Sequence, residues 1–306
     1  MPPVVSRDAV QAGEMSMGDI ACTRWRIGAA AGCTEIGVSI YRVHAGARQM
    51  PVHVHGDEEE IFHVLAGAGL SLQGDTACEV EVGDTIVHRA GGAPHTFLAG
   101  PDGLELIACA SGSDSHLTYL PRPKVMWAGP RWIPPDGPSP FRAEAACGRL
   151  EPPPAGERPA NVVALAAVAA ESSPGRRVRP LGAAAGAIKS RLSHVTVDPG
   201  QPAAARHVHS LEEEFVFVLA GAGTLRLGGD EQPLVAGDAV ARPPSSGVAH
   251  AVTAGPEGMT MLLYGSRRPG DAIYFPERGQ VWIPGLGVTF DASAAQPSPG
   301  TTSPDS

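Results

Sequence analysis

The stretch HVHGDEEEIFHVLAG, from His53 to Gly67, recurs as HVHSLEEEFVFVLAG, from His207 to Gly221. The spacing between the two copies is 154 residues (207 − 53). Glu60 therefore corresponds to Glu214, and Gly67 to Gly221. The match extends outward in both directions. LAGAG at Leu65–Gly69 recurs at Leu219–Gly223, and Gly83-Asp84 recurs as Gly237-Asp238. Upstream, GAAAG at Gly28–Gly32 recurs at Gly182–Gly186. After one inserted residue the spacing becomes 155 (250 − 95), and it pairs His95 with His250, Tyr119 with Tyr274 and Trp127 with Trp282. Val4-Val5 and Val162-Val163 look like matching openings. A repeat of this length is a whole domain, too long for the unit of a solenoid.

Each copy reads as short strands. EIFHVL (Glu60–Leu65) and EFVFVL (Glu214–Leu219) are β-prone runs that end near glycine, and the Gly-Asp pairs are turn signals. The 306 residues hold 38 glycines and 30 prolines with 5% aromatic residues, which favours strands joined by tight turns over long helices. The expected division is one barrel over residues 1–133, a proline-rich linker or arm over 134–160, a second barrel over 161–292 and a disordered tail over 293–306. The net charge of −9 argues against a nucleic-acid or anionic-membrane partner. The opening MPPVVSRDAV lacks the basic and apolar regions of a secretory signal, and no apolar run is long enough to span a bilayer. Five cysteines without C-x-x-C spacing argue against a disulfide framework or zinc knuckle, so a cytoplasmic protein with reduced thiols is expected.

His53 and His55 are two apart, so on a strand both imidazoles face the same side. Glu60 lies beyond an acidic turn at the start of the next strand, and His95 follows the turn AGGAP. Closing the sheet would bring all four together. The second copy offers His207, His209, Glu214 and His250. Three imidazoles and a carboxylate suit a divalent transition metal, one per barrel. Iron or manganese is foremost, and nickel, cobalt, zinc or copper would accept the same donors. A six-coordinate ion would keep two positions for substrate, water or dioxygen.

These residues resemble the two signature motifs of the cupin superfamily. Gly46, His53-x-His55-x4-Glu60-x6-Gly67 and then Gly83 and His95 carry the resemblance in the first copy. Gly200, His207-x-His209-x4-Glu214-x6-Gly221, Gly237 and His250 carry it in the second. The resemblance implies a bicupin: all-β, two tandem antiparallel jelly-roll barrels, with metal ligands at the eight positions named. There are departures. The first glycine of each copy sits one residue further from its histidine than is usual, Arg89 stands where proline is common, and the second motif's usual terminal asparagine is missing.

Strand parity suggests what else lines each cavity. Phe62 and Val216 share the parity of the ligand glutamates, and form either a pocket wall or plain core. Arg42 and His44 in the first copy, and Arg191 and His194 in the second, are candidates to hold a substrate anion. His63 has the opposite parity and is expected to pack outside the barrel or between sheets. Glu58, Glu59, Glu212 and Glu213 read as solvated turn residues. For function, an oxygen-dependent oxidoreductase of dioxygenase type, acting on a small chelating organic substrate, is the leading expectation. The alternatives are a non-redox isomerase, lyase or decarboxylase, and a small-ligand-binding barrel without turnover. No Ser-Glu-Asn acidic lid is visible, which counts against oxalate itself. A monomer or a homo-oligomer fits equally well.

Overall fold

A computed structural model of the chain describes residues 4–112, 115 and 117–294. Most of the expected tail, residues 295–306, lies outside the described residues, as does His116. Each copy forms two facing sheets, and every pairing between strands is antiparallel. The first copy has an eight-stranded sheet that includes Ile20–Trp25, Gly37–Val43, Glu60–Gln73, Asp84–His88 and His95–Ala110. Facing it is a four-stranded sheet that includes Val54–His55, Leu117–Leu120 and Val125–Ala128. The second copy repeats this with Ser190–Val197, Glu214–Leu227, Asp238–Arg242 and His250–Ser266 against Val208–His209, Ile273–Phe275 and Gln280–Ile283. Neither pair of sheets closes into one hydrogen-bonded cylinder, so each barrel is a jelly roll with open seams.

The long strand Glu60–Gln73 shows why the sequence folds this way. Phe62 and Val64 point into the barrel interior and join its core with Phe97, Leu104 and Leu106. Ile61 points the other way, into a core shared by both barrels with Ile40, Ile107, Phe215, Phe217, Leu262 and Tyr264. The strand is therefore apolar on both faces, which gives a continuous run instead of alternation. His63 also lies on the side away from the barrel interior, as its parity predicts, and is buried. Gly67 then breaks the ladder at φ +73°, where a Cβ would sit 2.2 Å from the Gly103 carbonyl oxygen. Gly221 repeats this at φ +79° against Gly258. Only glycine tolerates both the backbone and the approach.

Two features differ from the simple tandem division. The strand Val4–Ser6 pairs with Asp238–Arg242 of the second barrel, while Val162–Ala164 pairs with Asp84–His88 of the first. The two matching openings are thus exchanged, and each barrel completes its partner's sheet. The proline-rich segment 134–160 also holds a helix, Pro140–Ala146. Its Glu144 is fully buried and accepts hydrogen bonds from Arg48 (2.8 Å) and Arg122 (2.6 Å). The segment is therefore pinned to the first barrel.

The acidic run beside the ligand glutamate has a second correction. Glu59 and Glu213 have no exposed surface. Glu59 accepts hydrogen bonds from the backbone N–H groups of Ile188, Lys189 and Ser190 and from the Ser190 hydroxyl. Glu213 accepts from the N–H groups of Thr34, Glu35 and Ile36 and from the Thr34 hydroxyl. Each carboxylate reaches across to the other barrel and satisfies a loop there, which is what makes its burial tolerable. Glu212 is also buried, and accepts from the Arg268 N–H.

Candidate metal centres

In the first barrel three strand segments bring three imidazoles and one carboxylate together. His53 and His55 come from the segment around Val54–His55, Glu60 opens its strand, and His95 opens the strand His95–Ala110. One Glu60 oxygen lies 3.5 Å from His53 Nε2, 3.2 Å from His55 Nε2 and 3.0 Å from His95 Nε2. The second barrel matches it. The Glu214 carboxylate lies 3.3 Å from His207 Nε2, 3.5 Å from His209 Nε2 and 3.1 Å from His250 Nε2. All eight predicted donors converge, four to a barrel.

The other ring nitrogens show what this geometry fits. His53 Nδ1 donates to the Pro51 carbonyl oxygen at 2.9 Å, and His207 Nδ1 donates to that of Ala205 at 2.8 Å. A carbonyl can only accept, so these Nδ1 atoms carry the proton. In a neutral ring Nε2 then presents a lone pair, and that lone pair faces a carboxylate oxygen. Two acceptors at this distance repel unless a proton or a cation lies between them. The donor set fits a divalent ion, with the outward hydrogen bonds holding the His53 and His207 rings in the ligating tautomer.

Charge in the pocket follows from burial and proximity. Burial alone would raise the Glu60 carboxyl, but the surrounding imidazoles, His55 first, hold it well below the usual carboxylate range. Glu214 behaves alike. Burial opposes charge on His55, yet Glu60 overrides it and lifts His55 to about 9. Burial and the neighbouring His53 push His95 down to about 4. His88 stacks flat on His95, with centroids 3.6 Å apart, and is pushed well below its ordinary value by burial and by His95.

The substrate candidates divide. Arg191 lines the second cavity, where it contacts Glu212 and lies 3.7 Å from Glu214. Val216 lines the same cavity. Phe62 is core, packed on Phe97 beneath the histidines. Arg42, His44 and His194 are not in the cavities. Ser39, Tyr41 and Val43 take the inward positions of their strand, so Arg42 and His44 face out. Arg42 pairs with Glu105, and His44 is exposed near Thr23. His194 likewise alternates with the inward Val195 and lies opposite Arg179.

Sequence reading missed four groups. Arg24 lines the first cavity, with its guanidinium 5.1 Å from the centre of the Tyr41 ring and two hydrogen bonds to Ser39. No carboxylate pairs with it among the described residues. Its signal was the strand Ile20–Trp25, whose parity puts Cys22 and Arg24 on one face. Glu58 lines the same cavity, with an oxygen 3.4 Å from His55 Nδ1. Thr118 Oγ lies 3.0 Å from that same Nδ1. In the second barrel Asp271 takes this place, 2.6 Å from His209 Nδ1. The first cavity measures about 380 Å3 and the second about 580 Å3. Trp127 and Trp282 line them at matching places.

Comparison with known proteins agrees with this architecture. The cupin domain family matches residues 39–108 and 193–264. No curated protein sequence matches the chain. Among solved structures, oxalate decarboxylase from Bacillus subtilis superposes with a TM-score of 0.64 at 16% identity, over 90% of this chain and 79% of that one. The formate complex of oxalate decarboxylase from Lactobacillus farciminis gives 0.63 at 14% identity, over 90% and 89%. At such identity the likeness speaks for the fold. Two copies of one jelly roll, each matched by the cupin pattern and each gathering three histidines on a glutamate, place the chain in the cupin superfamily as a bicupin.

Proposed function

We propose that each barrel holds one divalent transition metal on its three histidines and glutamate. We further propose that the first barrel is a non-redox enzyme of lyase type, foremost a decarboxylase of a small chelating carboxylate. The observation that carries the second part is Arg24, a cation without a carboxylate partner in the cavity of His53, His55 and Glu60. A guanidinium that no carboxylate offsets, held in place at a cavity wall, selects an anion and fixes its orientation. A solved bicupin of this shape is described as having Mn(II) centres, which supports manganese, with iron next.

A bound ion would supply Lewis-acid polarisation of a substrate oxygen. The chain's own groups do the rest. Arg24 takes the carboxylate. Burial pushes the Tyr41 phenol up to about 12, so it stays neutral and can donate a hydrogen bond. Glu58 stands at the cavity wall as the proton carrier: when the carbon–carboxyl bond breaks and carbon dioxide leaves, the electron pair left on carbon takes the proton from Glu58. Trp127 walls off part of the cavity from solvent.

The test is turnover of manganese- or iron-loaded protein without oxygen, on a panel of small dicarboxylic, 2-hydroxy and 2-oxo acids. Carbon dioxide released with no oxygen uptake supports the reading. Replacing Arg24 by Gln should then raise KM about 10- to 100-fold, the value of a charge-assisted hydrogen bond. Oxygen consumed in step with substrate would return the site to dioxygenase chemistry, which the same donors permit. Binding without turnover would leave a ligand-binding barrel.

A further inference from the structure

The second cavity is open where the first is filled. In the first barrel Phe62 and Phe97 pack ring on ring, with centroids 4.7 Å apart, and belong to the core, not the cavity lining. Strand register pairs Phe62 with Ala108, and Val216 with Leu263 in the second copy. It pairs Phe97 with Ser71, and Val252 with Leu225. Val216 and Val252 are therefore the counterparts of the two phenylalanines, and both line the second cavity. Tyr41 is likewise replaced by Val195. Loss of these rings accounts for a larger space, bounded also by Met261, Leu263, Phe275 and Trp282.

The cations differ as well. Arg191 is neutralised by Glu212. Arg176 and Arg278 also line this cavity; Arg176 donates to the Ala203 carbonyl oxygen and the Ser173 hydroxyl, and neither arginine has a carboxylate partner among the described residues. Arg278 lies against the Phe275 ring, 5.5 Å from its centre. An apolar wall with guanidinium charge that no carboxylate offsets matches a ligand with an apolar body and an anionic end.

We propose that the second barrel is a binding site of its own for an aromatic or branched-chain carboxylate, too large for the first barrel. Val216 and Val252 set the size limit, and Arg176 takes the anionic end. The inference goes beyond the reaction assigned to the first barrel and needs no metal, so either reading can fail alone.

The experiment measures binding of phenylacetate against acetate by calorimetry, in the full chain, with and without metal. Phenylacetate should bind about tenfold tighter or better, from burial of its ring. Val216→Phe should remove that preference, and so should Val252→Leu, the milder change should the first misfold. Arg176→Gln should weaken phenylacetate and acetate alike. Phe62→Val with Phe97→Val should add a second equivalent of bound phenylacetate. The proposal is overturned if phenylacetate binds no tighter than acetate, or if its affinity survives both Val216→Phe and Arg176→Gln.

Discussion

The two barrels offer the same four donors in different company. In the first, the outer nitrogen of His55 meets the Thr118 hydroxyl, and in the second, the outer nitrogen of His209 meets the Asp271 carboxylate. Across the strand from the ligand glutamate stands His88 in the first and Arg242 in the second. Phenylalanines fill the interior of one barrel, and the valines in their places line the cavity of the other. The duplication has kept the four candidate donors and changed what surrounds them. Ligand geometry is therefore shared, while ion affinity, charge and cavity shape can diverge.

The largest effect that would test this comparison is loss of an ion. Metal analysis of protein purified without oxygen should give near two equivalents per chain, falling by about one in His53→Ala and by about one in His207→Ala. Turnover should vanish in the first variant and persist in the second. The opposite pattern would move catalysis to the second barrel.

A smaller effect separates the outer partners. Asp271→Asn should weaken metal at the second site about 10- to 100-fold and leave the first unchanged, read by competition with a chelator. Asparagine keeps one acceptor for the Leu211 and Glu212 N–H groups, which Asp271 also holds, so the loop stays in place. Thr118→Val should change the first site much less, because a hydroxyl adds no charge. Equal losses in the two variants would mean that the outer partners do not distinguish the sites.

The clamps between the barrels should respond symmetrically. Removing Glu59 or Glu213 strands three backbone donors in the contact between the barrels. Glu59→Ala and Glu213→Ala should each cost about 3 kcal/mol in denaturant unfolding. A much smaller cost for one of them would show that its half of the contact is wet.

What the sequence displayed, and what it hid, follows from where each partner lies. The eight donors were legible because duplication wrote them twice at one spacing, which chance does not do. Arg42 and His44 were misplaced because strand parity was counted without knowing which residue of Gly37–Val43 faced inward. Glu59 and Glu213 sit in an acidic run that reads as a solvated turn. Their partners lie more than a hundred residues away in the other barrel. Asp271 was hidden for a similar reason, since it meets His209 only after the chain has crossed the barrel. Exchange of the two opening strands left no mark either, because Val4-Val5 and Val162-Val163 would suit either sheet.

The smallest effect comes from His63, which the second copy replaces with Phe217. Its ring is buried between the barrels, with Nδ1 2.8 Å from the Thr85 hydroxyl. Burial, aided by the nearby His194, pushes it down to about 4. In the unfolded chain a histidine titrates near 6.5. Between those values the unfolded state binds the proton and the folded state does not. Stability from this group is thus present above about pH 6.5, and is lost as pH falls toward 4. The loss is of the order of 2 to 3 kcal/mol, spread over that window. His63→Phe installs the residue of the other copy and removes the titration. Unfolding free energy measured at pH 7 and pH 4.5 should then fall less in the variant than in the parent. The comparison belongs in metal-free protein, since acid release of an ion would add its own slope. An equal fall in both would place the acid sensitivity elsewhere, with the buried His88 of the same barrel as the next group to replace.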